Sequence, residues 1–431
     1  MDRSHKRASD ISLDAIRLHS TALSKPSALH DADGFGVYDL TLRDARIAAV
    51  VPATITGGQQ QFPIVMPAFV DCHTHLDKGH IWARQPNPDG SFMGALEAVA
   101  ADRFANWSAD DVEARMEFGL KCAFAHGTRA IRTHIDSVPP QEHISWPVFE
   151  TMRARWKGRI ELQAACLFGI DQARDVKWFE ALVAIVRRHG GVLGAVTYML
   201  PDLEPLLDLV FRAAIDNGLG LDFHADETDD IHAVSLHAIA AAARRHKHDG
   251  PILAGHCCSL ARQADETVLK TLDAVASANI SVVSLPMCNM YLQDRRNNQT
   301  TPRWRGVTLL HEMKARGINV AVASDNTRDP FFAYGDLDML EVYRMATRTL
   351  HFDHPVADWP ASVLSAPARA MGIEAGRLDP GTPADFIVFG GRTWTELLAR
   401  PQSDRVVWRN GTPIDAKVPD YAELDFLMER N

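Results

Sequence analysis

The stretch FVDCHTHLDKGH places two histidines, His73 and His75, one residue apart behind the apolar run IVMPAFV. On a β-strand, side chains two positions apart point to the same face, so these imidazoles could bind one object together. A divalent transition metal suits two neutral imidazoles best. The pair needs support from its surroundings, because 19 histidines in 431 residues should produce roughly one His-x-His pair by chance.

The elements that would position this pair alternate regularly along the chain. Amphipathic helical patterns separate eight apolar runs, which are PIVMPAFVDCHTH, TRAIRTHID, RIELQAACLFG, GGVLGAVTYML, LGLDFHADE, PILAGHC, ISVVSLPMCN and INVAVASDN. Strands that are apolar on both faces are typical of a parallel sheet covered by helices. The sequence therefore predicts an α/β fold with a (β/α)8 TIM barrel over about residues 67–373.

Both ends of the chain depart from this alternation. VYDLTLRDARIAAVVPATI lies before the predicted barrel, and DPGTPADFIVFGGRTW and VVWRNGTPI follow it, all as short strand-like pieces. We predict that residues 1–66 and 374–431 form one small β-domain beside the barrel of residues 67–373.

Polar side chains stand at the carboxyl ends of several predicted strands. They are His73 and His75 on strand 1, His134 and Asp136 on strand 2, His224, Asp226 and Glu227 on strand 5, His256 on strand 6, and Asp325 and Asn326 on strand 8. Barrel enzymes carry their active sites at this end of the strands. Scattered core histidines would not converge in this way, so the pattern predicts an active site here.

A hydrolytic metal needs three or four protein ligands and one position for water. Three imidazoles and one carboxylate are available for it: His73, His75, His224 and Asp325. Glu227 could then serve as general acid and base, and His256 could stabilise the attacking hydroxide. The alternative for Glu227 is an ion pair at the barrel rim. His134 and Asp136 are expected to support the ligands.

Composition limits the classes of partner. The formal net charge is −10 and no basic run occurs, which argues against nucleic acid and anionic membrane surfaces. The first twenty residues lack the apolar segment of a signal peptide, and no stretch approaches the length of a membrane span. We expect a soluble, cytoplasmic protein. Its six cysteines show no CxxC pattern and are expected to be buried, reduced thiols.

Several segments resemble the amidohydrolase superfamily: HTHLD, HADE, the GH of strand 6, the SDN of strand 8 and the closing DPGTPADFIVF. Within it, IRTHIDS, LQAACLFG, DFHADETDD, YLQDRRNNQTTPRWRGVTLLHEM and SDNTRDPFFAYGDLDMLEVYRMA are most similar to bacterial cytosine deaminases and their relatives. The resemblance covers nearly the whole chain. It implies a distorted (β/α)8 barrel flanked by a small β-sandwich made from both termini. The metal ligands that it implies are His73, His75, His224 and Asp325, and the catalytic groups are Glu227, His256 and Asp325.

The resemblance also bears on the number of metals. Binuclear members of the superfamily need a carboxylated lysine at the end of strand 4, and GGVLGAVTYML contains no lysine. We expect one divalent ion, Zn²⁺ or Fe²⁺, in a hydrolytic deaminase that releases ammonia from an aminated N-heterocycle by hydroxide attack. The alternative is a metal-dependent amidase or ring-opening hydrolase of a cyclic amide or triazine-like substrate. A barrel that only binds a ligand is the non-catalytic alternative.

The positions that would read the substrate differ from the cytosine deaminase pattern. Those enzymes carry a glutamine in a Phe-Pro-Gln context after strand 3, where this chain has Phe168 and Gly169, and a second aspartate where it has Asn326. We therefore expect cytosine to be a poor substrate, because missing polar contacts discriminate strongly. A shift of a few residues in the alignment would instead bring Gln172 to the pocket.

Two further positions are candidates for substrate contact. Lys78, in HLDK, resembles a lysine of relatives that act on triazines and other N-heterocycles. The alternative to a substrate contact is that Lys78 forms an ion pair with Asp77 at the rim of the barrel. Trp304, with Arg303, could form part of a lid after strand 7, and an ordinary surface loop is the alternative. The expected partner is a small N-heterocyclic substrate, and a homo-oligomer is left open.

Overall fold

The computed structural model describes residues 10–55, 62–295 and 300–428. Its described strands are β1 (Ile11–His19), β2 (Phe35–Arg43), β3 (Arg46–Pro52), β4 (Ile64–Pro67), β5 (Phe69–Thr74), β6 (Thr128–Asp136), β7 (Glu161–Leu167), β8 (Leu193–Thr197), β9 (Leu221–Ala225), β10 (Ile252–His256), β11 (Ser281–Ser284), β12 (Val320–Val322), β13 (Phe386–Phe389), β14 (Val406–Arg409) and β15 (Thr412–Pro413).

The described α-helices lie mostly between the central strands. They are α1 (Phe92–Asn106), α2 (Ala109–Ala125), α3 (Glu142–Arg155), α4 (Val176–Arg188), α5 (Leu203–Asn217), α6 (Ser235–His246), α7 (Asp265–Ser277), α8 (Pro286–Leu292), α9 (Leu310–Ala315), α10 (Met339–Leu350), α11 (Ser365–Met371), α12 (Trp394–Ala399) and α13 (Asp425–Met428).

Two parallel sheets form the centre of the structure. β5, β6 and β7 form one sheet, and β8 to β12 form the other in the order β12-β11-β10-β9-β8. Isolated parallel bridges join Ala165 of β7 to Val192 beside β8, and Thr74 of β5 to Asp325 beyond β12. The eight strands therefore follow one another in chain order across both seams, which is a TIM-barrel-like α/β arrangement.

Two-sided burial explains the continuous apolar runs of these strands. Every residue of β5, β9 and β10 is buried. Among the helices, α4 buries Phe179, Leu182, Val183 and Val186, which recur at the helical period. Helix α5 ends at Gly218, whose φ of 64° is the left-handed conformation that closes many helices.

The two ends of the chain share one seven-stranded sheet, in the order β15-β14-β13-β4-β1-β2-β3. Its neighbouring strands are antiparallel except for the parallel pair β1 and β4. Leu40 and Phe386 belong to its hydrophobic core. Strands from both ends of the chain thus pair in one sheet. A sandwich, and the domain limits 1–66 with 374–431 and 67–373, stay predictions.

Two further expectations concern the whole chain. All six cysteines are buried, and none forms a disulfide. Within residues 10–55, 62–295 and 300–428, no helix has the length and apolar character that crossing a membrane requires.

Candidate metal centre and active site

Backbone contacts bring the ends of β5 and β12 together. The Asp325 N–H donates to the His73 carbonyl at 2.9 Å, and the Thr74 hydroxyl donates to the Asp325 carbonyl at 2.8 Å. Asp325 has a φ of 62°, and His256, at the end of β10, has a φ of 68°. Residues other than glycine rarely adopt this left-handed conformation, and strained positions of this kind cluster at functional sites.

The donor atoms are spaced as the ligands of one ion would be. Asp325 Oδ1 lies 3.5 Å from His73 Nε2 and 3.2 Å from His75 Nε2, and His224 Nε2 lies 3.4 Å from His75 Nε2. Ligands held about 2.1 Å from a tetrahedral centre lie about 3.4 Å apart. His73 Nε2 and both carboxylate oxygens of Asp325 are buried without a hydrogen-bond partner within the described ranges. Buried polar atoms need partners, so this set fits a divalent metal.

A fourth imidazole, that of His134, lies beside this set. Two overlapping groups have potential ligand atoms within 4.8 Å of one another: His73, His75, His134 and His224, and His73, His256 and Asp325. His134 Nε2 also lies 3.2 Å from Asp222 Oδ1, and the other oxygen of Asp222 accepts a hydrogen bond from Arg132 at 3.0 Å. The carboxylate contact suits the supporting role predicted for His134, whereas the spacing also makes it a further candidate ligand.

Burial favours the neutral form of four imidazoles, those of His75, His134, His224 and His256. It lowers the pKa of His75 and of His224 well below the usual value, and Lys78 lowers that of His75 further. Burial also lowers the pKa of His134 to about 4 and that of His256 to about 3. The neutral imidazole is the form that binds a metal, so all four side chains are in that form at neutral pH.

Glu227 lies beside His256 at the same end of the strands. Its Oε1 is 3.3 Å from His256 Nδ1. Burial, and then the charge of nearby Asp325, raise the pKa of Glu227 well above its usual value, and Lys78 opposes this rise. A carboxyl group with a raised pKa can hold a proton near neutral pH, as a general acid must.

Asn289 connects Glu227 and His256, and it is not among the site residues predicted from the sequence. Its Nδ2 donates to Glu227 Oε1 at 3.2 Å and lies 3.0 Å from His256 Nδ1. The side chain is fully buried in α8. A single amide within the apolar run ISVVSLPMCN was the only sign of it in the sequence.

A cavity of about 960 Å³ includes this centre in its wall. His75, His224, Glu227, His256 and Asp325 all line it. Its apolar lining comes from α1, from the end of α8 and from the loops after two strands: Phe92, Leu96, Val99, Leu292, Phe168 and Phe331. This volume and this mixture of apolar walls with a few polar groups are typical of small-molecule sites.

Lys78 is buried in the cavity wall and pairs with Asp136. Its Nζ lies 2.9 Å from Asp136 Oδ1, and Arg103 donates to the other oxygen of the same carboxylate at 2.8 Å. Burial alone would raise the pKa of Asp136, but Lys78 and Arg103 lower it to about 2. Lys78 does not form the predicted rim pair with Asp77, because both side chains are buried and the Lys78 ammonium group pairs with Asp136 instead. Asp77 accepts the Asp136 N–H at 2.8 Å. Arg103, in α1, also lines the cavity and was not predicted.

Gly169 and Gln172 both line the cavity. A Cβ atom at Gly169 would lie 2.8 Å from Asp171 Oδ1 and 3.0 Å from the Tyr198 hydroxyl, which donates to that oxygen. Gln172 belongs to the 3-10 helix Ile170–Arg174 that follows β7. The chain therefore does present an amide after strand 3, as the shifted alignment expected.

Asn326 and Trp304 have different positions. Asn326 lines the cavity, and its Nδ2 donates to Asp329 Oδ2 at 2.7 Å. Trp304 is not among the described residues that line the cavity, and the Arg262 guanidinium lies 5.3 Å from its ring centre. Its N–H donates to Asp294 at 3.1 Å. The structure thus places Trp304 outside the described lining of the cavity.

Comparison with protein families identifies the class. The amidohydrolase family Amidohydro_3 matches residues 171–415. The chain belongs to the amidohydrolase family, and the resemblance predicted from HTHLD, HADE and SDN is confirmed.

Among characterised relatives, one is closely similar over nearly its full length. The chain is 55% identical over 393 residues to a pterin deaminase of Rhizobium rhizogenes, which covers 91% of this chain and 90% of the relative. It is also 23% identical to an N-isopropylammelide isopropyl amidohydrolase of a Pseudomonas species, over 82% of this chain and 87% of the relative.

Solved structures show the same fold. A 5-methylcytosine deaminase from Klebsiella pneumoniae superposes with a TM-score of 0.80 at 21% identity, over 94% of this chain and 97% of that chain. An N-isopropylammelide isopropylaminohydrolase from Burkholderia multivorans superposes with a TM-score of 0.72 at 22% identity, over 93% and 98%. These similarities support the TIM-barrel-like α/β fold.

Proposed function

We propose that this chain is a metal-dependent hydrolytic deaminase of an aminated N-heterocycle, and that its substrate has a pterin ring. The observation that carries the proposal is the 55% identity to a pterin deaminase over nearly all of both chains. The spacing of the donor atoms of His73, His75, His224 and Asp325 supports it independently.

The chemistry of pterin suits this site. Pterin is a 2-amino-4-oxopteridine, so the carbon that bears its amine lies between two ring nitrogens. A cavity of about 960 Å³ has room for a fused bicyclic ring and a substituent. The apolar side chains Phe92, Phe168 and Phe331 offer surfaces for the faces of the ring.

The residues divide into a metal-holding set and a proton-moving pair. His73, His75, His224 and Asp325 would hold one metal, for which we propose Zn²⁺ or Fe²⁺. Such an ion supplies a Lewis acid and a water molecule of lowered pKa. Glu227 would donate the proton on its carboxyl group to the unprotonated ring nitrogen beside the reacting carbon. Its carboxylate would then carry the proton of the added hydroxyl group to the amine, so that the C–N bond breaks, ammonia leaves and the ring carbonyl forms. His256, in contact with Asn289, would stabilise charge at the reacting carbon.

Two polar side chains that line the cavity, Lys78 and Gln172, would bind the substrate. Lys78 has ammonium hydrogens beyond the one that faces Asp136, and a heterocycle carbonyl is a suitable acceptor for them. Gln172 offers a second amide. We propose no substrate role for Trp304.

The arrangement of the parallel strands supports the predictions of a closed barrel and of two domains. We infer that β5 to β12 close into one barrel, because isolated parallel bridges are present on both seams. Residues 67–373 would form this barrel, and residues 1–66 with 374–431 would form the smaller domain.

A metal-dependent amidase or ring-opening hydrolase is the second candidate function. The similarity to an amidohydrolase of N-isopropylammelide favours it, because the same metal ligands could serve cleavage of another carbon–nitrogen bond. The two candidates differ in their products. A deaminase releases ammonia and leaves the ring intact, whereas a ring-opening hydrolase gives an acid one water heavier than its substrate.

The test is a product assay with metal-loaded protein and pterin, cytosine and cyclic amides of the triazine type. We expect ammonia in a one-to-one ratio with a product that is one mass unit heavier than pterin. The Glu227→Gln variant serves as the paired inactive control. Ring-opened acid as the product, or no reaction with pterin in wild-type protein that holds one metal per chain, would overturn the proposal.

A further inference from the structure

The side chain of Asn326 has a fixed orientation at the cavity wall. Its Nδ2 donates to Asp329 Oδ2 at 2.7 Å, whereas its Oδ1 accepts no hydrogen bond from the described residues. The backbone is also held, because the Asn326 N–H donates to Cys288 Sγ at 3.3 Å. Asn326 follows Asp325 directly, so this amide stands beside the candidate metal centre.

Asp329 can only hold the amide in this direction while it acts as an acceptor. It is fully buried, and its Oδ1 accepts the N–H groups of Phe331 at 2.8 Å and Phe332 at 3.1 Å. Burial raises the pKa of Asp329 to about 7, against the hydrogen bond from Asn326, the charge of Lys78 and these two backbone N–H groups, which lower it. Because Oδ1 accepts the two backbone N–H groups and Oδ2 accepts the amide, the carboxyl group selects Nδ2 of Asn326 and turns Oδ1 away from itself.

From this geometry we infer that Asn326 Oδ1 is a specificity-determining acceptor, which takes a hydrogen bond from a protonated ring nitrogen beside the carbon that loses ammonia. The inference rests on the proposed deaminase function and narrows its substrate class. The class is a cyclic guanidine next to a carbonyl, in which the reacting carbon lies between an N–H and an unprotonated nitrogen.

This class includes pterin and excludes cytosine. In pterin, N3–H lies between the amine-bearing C2 and the carbonyl at C4. In cytosine, the reacting carbon has as its ring neighbours an unprotonated nitrogen and a C–H group. A polar acceptor that faces a C–H group loses its hydrogen bond, and a site built for an N–H rejects an analogue that lacks one.

Reversing the Asn326–Asp329 pair tests the inference. In Asp329→Asn, the new amide at position 329 can still accept from Phe331 and Phe332 and can donate to Asn326, which would turn Nδ2 of Asn326 toward the cavity. In the double variant Asn326→Asp/Asp329→Asn, the amide at position 329 donates to the new carboxylate at position 326, and an acceptor again faces the substrate. A structural role alone gives no reason for the double variant to recover.

The readouts are the kcat/KM and the equilibrium dissociation constant for pterin and for 3-methylpterin, which lacks the N3–H. Binding is measured by ligand fluorescence in the Glu227→Gln background, so it does not depend on turnover. We expect wild-type protein to prefer pterin about 10- to 100-fold, the range for an unpaired buried polar group. Asp329→Asn should lose this preference, and the double variant should recover it.

Controls separate the possible failures. Asp273→Asn, at a side chain that is 73% exposed, should leave the preference unchanged. Unchanged preference in a folded Asp329→Asn variant, or loss of preference that the double variant does not recover, would overturn the inference. If wild-type protein binds pterin over 3-methylpterin but releases no ammonia, the proposed deaminase fails and the acceptor role stands.

Discussion

The proposed metal-ligand set and the proposed substrate-binding wall of the same cavity are built in different ways. The ligand set comes from the ends of parallel strands, where His73, His75 and Asp325 converge with donor atoms 3.2 to 3.5 Å apart. The wall comes from the segments that follow the strands. There, polar groups are held by neighbouring carboxylates, as Lys78 is by Asp136 at the end of β6 and Asn326 is by Asp329 three residues further along the chain.

This difference suggests that the sheet positions the groups that carry out the reaction, whereas the loops determine which substrate is bound. Parallel strands place their carboxyl ends at one site whatever loops follow them, so the groups that hold a metal are set by the sheet. Loops can change without disturbing the sheet, so they determine which heterocycle binds. Variants of the first region should therefore abolish reaction with every substrate, and variants of the second should change the ranking of substrates.

The largest effect is expected from removal of a metal ligand. His224→Ala and Asp325→Ala should each lower the metal content and reduce ammonia release by at least about 10³-fold, because the Lewis acid is lost. Metal analysis of the purified variants measures the first effect directly. His354→Ala, at a side chain that is 94% exposed, is the control and should keep its metal. Full metal content in both ligand variants would contradict the assignment.

Next in size is the loss of the proton-moving group. Glu227→Gln should keep the metal and the fold but lower kcat by about 10²- to 10⁴-fold, because an amide has the shape of the acid without its labile proton. Steady-state kinetics and metal analysis on the same sample measure both quantities. Glu266→Gln, at an 81% exposed side chain, should behave as wild type. A Glu227→Gln variant with more than a tenth of the wild-type rate would assign proton transfer to another group.

A smaller effect is expected in the kcat/KM values of different substrates, with the catalytic residues unchanged. We expect kcat/KM for cytosine to be lower than that for pterin by about 10², because polar groups of the wall would be left unpaired. Both values come from the same ammonia assay. Gln172→Ala should lower kcat/KM for pterin if this amide reads the ring. A kcat/KM for cytosine of about 10⁵ M⁻¹s⁻¹ is ordinary for a native substrate and would show that the substrate-binding residues have been assigned wrongly.

The smallest effect is expected at Gly169. Its φ of −68° suits any residue, so Gly169→Ala should act only through its new methyl group, which would crowd Asp171 and Tyr198. We expect KM for pterin to rise about 2- to 10-fold with little change in kcat. In a Tyr198→Phe background the hydroxyl contact is absent, so the effect of Gly169→Ala should shrink. Equal effects in both backgrounds would exclude crowding of the hydroxyl.

The proposed ligand set could be predicted from the sequence because strand periodicity is a local, regular signal and barrel topology brings the ends of the strands together. His73 and His75 could be placed on one face by their spacing, and His224, His256 and Asp325 by their positions at strand ends. The pattern did not separate ligands from other polar residues at strand ends. Asp226, for example, accepts the N–H groups at the start of α6.

Contacts between distant segments were not predictable in this way. Asn289 reaches Glu227 across 62 positions, and Asp136 joins Lys78 to Arg103 of another element. Such pairs depend on how the loops fold over the sheet, which periodicity does not encode. Gln172 shows a related problem of alignment. An ungapped alignment matched Gly169 to the glutamine of cytosine deaminases, although Gln172, three residues later, also lines the cavity.

The most direct test of the central claim is metal reconstitution. Metal-free protein would be titrated with Zn²⁺ or Fe²⁺ while ammonia release from pterin and metal content per chain are followed. We expect no turnover without metal, and a rate that rises linearly and saturates at about one equivalent, as a single metal site requires. Turnover by metal-free protein, or saturation only at two equivalents, would contradict it.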